Sequence, residues 1–420
     1  MLSRRQFLGI TGGAAAVAVG GTTAWSLLVD DRVHRAAAGG GGSGRVLVVV
    51  QLSGGNDGLD TVVPTGDGRY HDLRPTLGVA DADVVALTGL TGFGLNPALA
   101  PLAPWWDKGR LALVEGVGMP GQSRSHFSAL DSWWRGVTDG SERTGWLGRW
   151  LDVVGDPTDP LRAISLGAGS PALVGERATS TVVFDPSGFV LKAPSGSSAD
   201  ELSTAFRASA EPLDADATLA AAQQSVPATL DAVAALGPAF QTGGGASEQA
   251  SATGSGAVGA KGPKELTTLL DTAARVIDLG LGTQVIVVTV GGYDTHANQA
   301  ATHPVLLADL AAGLDGFLGQ IEAQGRTDQV ALITTSEFGR RAAENGSGTD
   351  HGQASVQFVA GGPVASAQLV GQADLGQLDQ GDLPIVVDTR SVYAAALDWL
   401  GGPTDEVLGA SYDRLALLRT

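Results

Sequence analysis

Four short segments of this chain bring acids or imidazoles together with glycines and small polar residues. The first runs from Gln51 to Asp60 (QLSGGNDGLD) and offers Asn56 and Asp57 after a glycine pair. The second is Gly291 to His296 (GGYDTH), with Asp294 and His296 two positions apart. In extended backbone, side chains two apart point to the same side, so these two can share one metal ion. A carboxylate with a neutral imidazole suits zinc, manganese or iron. The third segment, Thr334 to Arg340 (TTSEFGR), carries the acid Glu337 and the base Arg340, which can hold an anionic substrate or pair with an acid. The fourth, Gly348 to Gly352 (GTDHG), carries Asp350 and His351; Asp350 can bind a metal itself or orient His351 from behind. A fifth stretch, Gly121 to Phe127 (GQSRSHF), places Ser125 and His126 before an aromatic pair, Trp133-Trp134. Ser125, or Ser123, at a helix N-terminus would be a nucleophile, with His126 as its base or as a ligand. The plainer readings are an Asn-Asp-Gly turn, surface turns, and an N-cap serine ahead of core aromatics. His303, just before Pro304, reads as a capping or surface residue.

The elements that must position these segments are strands. Val46–Val50 is a continuous β-branched run, as suits a strand buried on both faces. Similar runs occur at 111–114, 285–288 and 330–333, with weaker ones at 356–359 and 385–387. The first, third and fourth of these lead straight into a chemical segment: Asp57 follows the first strand, Asp294 the run from Val285, and Glu337 the run from Val330. Residues 305–324 repeat apolar positions at Leu306, Leu310, Leu314, Phe317 and Ile321, a helical spacing that lays one face on a sheet. Strand–helix–strand alternation predicts an α/β fold with a mostly parallel sheet and helices on both faces. Ligands in such folds bind beyond the carboxyl ends of the strands, where these acids and histidines would sit. Residues 199–236 are Ala-rich and predicted helical, and 241–262 are a Gly/Ser/Ala run expected to be a loop; together they form an insertion at about 199–262.

Composition narrows the function. With no cysteine among 420 residues, disulfides, iron–sulfur clusters and a thiol nucleophile are excluded. Any divalent metal, whether zinc, manganese, magnesium or calcium, must be held by carboxylate, imidazole, hydroxyl or backbone oxygen. The formal charge of −18 argues against nucleic acid as a partner. At the start, Ser3-Arg4-Arg5-Gln6-Phe7-Leu8 leads into a mildly apolar stretch, and Ala36-Ala37-Ala38 offers a small-residue cleavage site. Residues 1–38 therefore read as a twin-arginine signal for export in the folded state, with that export machinery as a partner. The glycines in the stretch weaken the other reading, a retained membrane anchor, so no stable span is expected after cleavage. Residues 39–44 read as a flexible linker and 45–420 as one domain.

The LSGGNDGLD, GGYDTH, SEFGR and GTDHG segments, taken together, resemble the family catalogued as domain of unknown function 1501, from about Val46 to Leu400. That family is placed in the alkaline phosphatase and sulfatase superfamily and commonly carries twin-arginine signals. The resemblance implies an alkaline phosphatase-like fold that holds one or two metal ions at strand ends, where a hydroxyl or modified cysteine attacks a phosphate or sulfate ester. By position, Asp57 resembles the first-strand ligand, and Asp294 and His296 the mid-chain ligands. Glu337 stands where the superfamily has Asp, Phe338 where it has His, and Asp350-His351 can supply the missing imidazole or the late histidine. Residues 387–393 resemble the helix that closes this fold. Phe338 cannot bind metal and no histidine follows His351, which leaves a two-metal centre short of ligands. The implied function is an exported metal-dependent hydrolase of small anionic esters; the alternative is a non-catalytic, metal-stabilised binding or assembly protein. A carbohydrate binder would rest only on Trp105, Trp106, Trp133 and Trp134.

Overall fold

The structure is a computed structural model that describes residues 44–186, 189, 197–209, 217–240 and 265–420. The twin-arginine segment, nearly all of the linker and the low-complexity run 241–262 lie outside the described residues.

Twelve strands are present among the described residues: β1 (Val46–Leu52), β2 (Val62–Pro64), β3 (Val85–Ala86), β4 (Phe93–Leu95), β5 (Leu111–Gly118), β6 (Ala163–Leu166), β7 (Thr181–Val183), β8 (Val285–Val290), β9 (Val330–Thr335), β10 (Ser355–Gly361), β11 (Leu369–Val370) and β12 (Val387–Asp388). Nine of them form one sheet in the order β11-β5-β10-β9-β1-β8-β6-β7, with β12 beside β5. The block β9-β1-β8-β6-β7 is wholly parallel. Strand β10 alone runs against its neighbours β5 and β9. The fold is thus α/β with a mostly parallel central sheet.

Period-two alternation sends successive side chains to opposite faces, and each face builds its own core. Val46, Val48, Val50, Ile286, Val288 and Leu332 pack with the helices Glu265–Asp278 and Gln299–Ala323. Leu47, Val49, Val285, Val287, Ala331 and Ile333 pack on the other face with Trp133, Trp146, Trp150 and the helix Thr389–Leu400. Because both faces are covered, β1 has no polar alternation and is buried along its whole length. Helices Ala199–Ser209 and Ala217–Phe240 occupy the Ala-rich stretch.

Two elements differ from their sequence reading. The run 385–387 is strand only at Val387–Asp388, and Val386 is exposed. The tryptophans 105, 106 and 133 are buried, and their indole N–H groups donate to Asp315, to the Thr88 carbonyl and to Gln122. These three are core residues with satisfied polar edges, and Trp134, the fourth, is half-buried against the same core as Trp133.

The topology puts the chemical segments at one edge of the sheet. Strands β1, β8, β9 and β5 run into the segments carrying Asp57, Asp294–His296, Glu337–Arg340 and Ser125–His126. Because β10 is antiparallel, Asp350 and His351, which precede it, reach the same edge.

Candidate metal centre

The loops close on each other through glycines. Gly54 has φ +125°, and a Cβ there would lie 2.2 Å from the Asp294 amide nitrogen. Gly55 has φ +82°, and a Cβ there would lie 2.4 Å from the Phe338 ring. Only glycine allows both the left-handed backbone and this approach. The β1 exit is thereby pressed against the loops after β8 and β9, and the Gly54 amide donates to Glu337 Oε1 at 2.8 Å.

Asp294 lies at the centre of the group. His126 Nε2 is 3.3 Å from its Oδ2, while His296 Nε2 and His351 Nε2 are 3.2 and 3.1 Å from its Oδ1. Donor atoms of His126, Asp294 and His351 all lie within 4.8 Å of one another, and His296 adjoins them through Asp294 and His351. The outer nitrogen of every imidazole is held. His126 Nδ1 meets Glu337 Oε1 at 2.9 Å, His296 Nδ1 meets Asp350 Oδ1 at 3.2 Å, and His351 Nδ1 meets the Arg124 carbonyl at 2.9 Å. Those acceptors can only receive a proton, so each Nδ1 carries the hydrogen and each Nε2 turns its lone pair inward. Imidazoles fixed this way are how proteins present histidine to a metal.

The inward pair His296 Nε2 and His351 Nε2 are 2.8 Å apart. Two lone pairs at that distance repel unless a proton or a cation lies between them. The distances of 3.1–3.3 Å to Asp294 are close to the edge of about 3.3 Å expected of a tetrahedron with metal–nitrogen bonds of about 2.0–2.1 Å. The donors present therefore fit a divalent cation. Phe338 does not bind; its ring packs 4.9 Å from the His126 ring and 4.4 Å from that of His351, as an apolar wall on one side of the cluster.

The electrostatics follow from these contacts. The Glu337 hydrogen bond is the largest influence on His126 and, despite partial burial, holds its pKa above the ordinary imidazole value. Burial, helped by Arg340 and His126, pushes His351 down. Burial works to raise Asp294, but the hydrogen bond and positive charge of Arg340, with the neighbouring imidazoles, outweigh it and lower its pKa. The Asn345 and His296 contacts lower Asp350.

The remaining sequence candidates are placed as follows. Glu337 is 1% exposed and stands behind His126, with its Oε2 lacking any hydrogen-bond partner. Arg340 is fully enclosed: it donates to Asp294 at 2.7 Å and to the carbonyls of Gly54, Gly55, Tyr293 and Thr349, so it clamps the loops and does not face a substrate. Ser125 is the exposed N-cap residue of the helix His126–Arg135 and makes no capping hydrogen bond through its side chain. Asp57, read from sequence as a first-strand ligand, does not join the converging donors. It is buried, caps the helix Gly58–Thr61, and is bound by Arg74 and Gln299 at 2.8 and 2.6 Å. His303 is buried rather than on the surface and contacts Asn56 Oδ1 at 3.0 Å.

Residues 115–414 match the family model described as Protein of unknown function (DUF1501). The chain belongs to that family. The matched region of this DUF1501 protein contains His126, Asp294, His296, Glu337, Asp350 and His351, while Asp57 and Arg74 precede it. No curated protein matches by sequence. Among solved structures, the chain is similar to PsFucS1 sulfatase from Pseudoalteromonas sp. (12% identity, TM-score 0.36, covering 95% of this chain and 77% of that one). It is also similar to alkaline phosphatase from the Antarctic bacterium TAB5 (10%, 0.32, 78% and 94%) and to phosphonoacetate hydrolase from Sinorhizobium meliloti 1021 (11%, 0.28, 71% and 57%).

Sequence reasoning missed Arg74, Gln299 and Thr349, which support the loops of the histidine cluster from behind. Arg74 sits in an ordinary Leu-Arg-Pro helix end, and nothing in its type or spacing marks it. His303 did carry a signal: with Leu307, Leu310 and Leu314 it continues the helical stripe that faces the core.

Proposed function

We propose that this protein is an exported, metal-dependent hydrolase acting on small phosphate or sulfate esters. The observation that carries the reading is the convergence of inward-facing Nε2 atoms on Asp294, each imidazole being held at Nδ1 by an acceptor. A divalent cation bound there would supply a Lewis acid that polarises an ester oxygen and stabilises developing negative charge. His126, Asp294 and His351 would hold it, with His296 beside them. Glu337 and Asp350 keep two imidazoles in the binding tautomer, Phe338 keeps water from one side, and exposed Ser125, one residue before His126, is the candidate nucleophile. Export rests on the paired arginines Arg4-Arg5 and the small-residue site that follows.

The test is hydrolysis of p-nitrophenyl phosphate, bis-p-nitrophenyl phosphate and p-nitrophenyl sulfate by metal-loaded protein. Activity should be abolished in Asp294→Ala and His351→Ala, and in Ser125→Ala with metal binding intact. Turnover that survives Asp294→Ala would refute the site. The enclosure of Arg340 favours a second reading, a non-catalytic metal-stabilised binding protein. Bound metal without turnover on any of these esters would support it.

A further inference from the structure

Behind the histidine cluster lies a second charged group, wholly buried: Asp57, Asp60 and Arg74, with Tyr70 and Gln299. Arg74 follows the helix Gly68–Leu73, and its side chain is 0% exposed. Its Nη1 is 2.8 Å from Asp57 Oδ2 and 3.0 Å from Asp60 Oδ2. Its Nη2 reaches Asp57 Oδ1 at 3.2 Å and the Arg341 carbonyl at 2.9 Å, and its Nε donates to the Ala342 carbonyl at 2.6 Å. The guanidinium thus makes four hydrogen bonds and, through Nη1, an ion pair with Asp60.

We propose that the Arg74 guanidinium is a resident cation, filling the place between Asp57 and Asp60 where a second divalent ion would otherwise be held, and so limiting the protein to one metal ion while positioning the loops that grip it. The inference rests on the metal reading of the histidine cluster.

Three observations carry it. First, every oxygen of the two carboxylates already has a partner within the protein. Asp57 is taken by Arg74, by Gln299 Nε2 at 2.6 Å and by the Asp60 amide; Asp60 is taken by Arg74, by Gln299 Nε2 at 3.1 Å and by the Tyr70 hydroxyl at 2.9 Å. Second, Asp57 Oδ2 and Asp60 Oδ2 meet on one buried point, and paired carboxylate oxygens are the donors that suit a hard divalent ion. A guanidinium satisfies them equally well, because its planar fork matches carboxylates and it stays charged at every ordinary pH. Unlike an ion, it cannot exchange with solution. Third, the group is bolted to the ligand loops. Gln299 Oε1 accepts from Thr349 and Thr295 at 2.7 and 3.1 Å, beside Asp350-His351 and Asp294–His296. The carbonyls of Arg341 and Ala342 tie in the loop that begins at Glu337. Arg74 is thus a positioning residue that touches no substrate.

The test counts metal per chain by elemental analysis after saturation with Zn2+, Mn2+ or Mg2+ and removal of the excess. The wild type should hold one ion. Arg74→Ala, which leaves both carboxylates in place, should hold two with Mn2+ or Mg2+, and Asp57→Asn added to it should restore one. Two ions in the wild type, or one in folded Arg74→Ala, would overturn the inference while leaving the histidine centre standing. No ion in the wild type would instead overturn the reading on which it rests. If Arg74→Ala fails to fold in the absence of metal, millimolar Mg2+ or Mn2+ should restore cooperative melting. A chain that stays unfolded under those conditions refutes an ion-shaped role for the guanidinium.

Discussion

Replacing Glu337 by glutamine probes the preorganisation of the centre without touching its inner ligands. Glu337 Oε1 accepts from His126 Nδ1 at 2.9 Å and from the Gly54 amide at 2.8 Å. In Glu337→Gln, the amide oxygen can keep both bonds only by turning its NH2 group to the position of Oε2, which has no partner. A buried unsatisfied donor costs about 1–3 kcal/mol, so the melting point should drop modestly while the fold survives. The larger effect should fall on the metal. His126 would lose the anionic partner that fixes its ring and makes Nε2 more basic, and the loss of such a partner weakens metal affinity by about 10–100-fold, or roughly 1.4–2.7 kcal/mol. The assay is competition against a chromophoric chelator across a series of pH values, so that proton competition at His126, whose pKa Glu337 raises, is separated from the change in affinity. Asp350→Asn, which acts on His296 in the same way, should show a smaller loss because that pair is more exposed. Unchanged affinity in Glu337→Gln, within twofold, would refute the claim that the buried carboxylate prepares His126 for a cation.

Two further outcomes concern buried titratable groups away from the centre. Burial raises Glu115 from an ordinary value of 4.5 to about 7, so its contribution is intact below pH 4.5 and is lost as pH rises to about 7. Glu115→Gln should remove a fall in stability of about 3 kcal/mol between pH 4.5 and 8 by urea unfolding, and an unchanged pH dependence would show that the carboxyl is solvated. Burial lowers His303 from 6.5 to about 4, so stability should be intact above pH 6.5 and lost as pH falls toward 4. His303→Gln, which keeps a donor for Asn56, should flatten that acid limb by about 3 kcal/mol; an acid limb identical to the wild type would exclude a neutral buried imidazole.

Much of the fold could be read in the sequence because a sheet covered on both faces requires unbroken β-branched runs. Val46–Val50, Val285–Val288 and Val330–Ile333 mark β1, β8 and β9 within a few residues of their observed ends. The antiparallel direction of β10 could not be read, since a buried strand looks the same in either direction. The imidazoles His126, His296 and His351 were legible because histidine is rare here, and Asp294 because it follows a β-branched run directly. What Asp57 does was not legible, because its role depends on Arg74, seventeen positions away and unmarked by any motif. Local sequence shows which residue is an acid; only the packed structure shows which cation has already claimed it.

The central claim is that one cation sits among His126, Asp294 and His351. The direct measurement is an anomalous difference map from a crystal of the metal-loaded protein, collected at the metal absorption edge. A single strong peak within about 2.0–2.2 Å of His126 Nε2, His351 Nε2 and an Asp294 oxygen is the predicted result. No peak there, or a peak bound only by residues outside this cluster, would contradict the account.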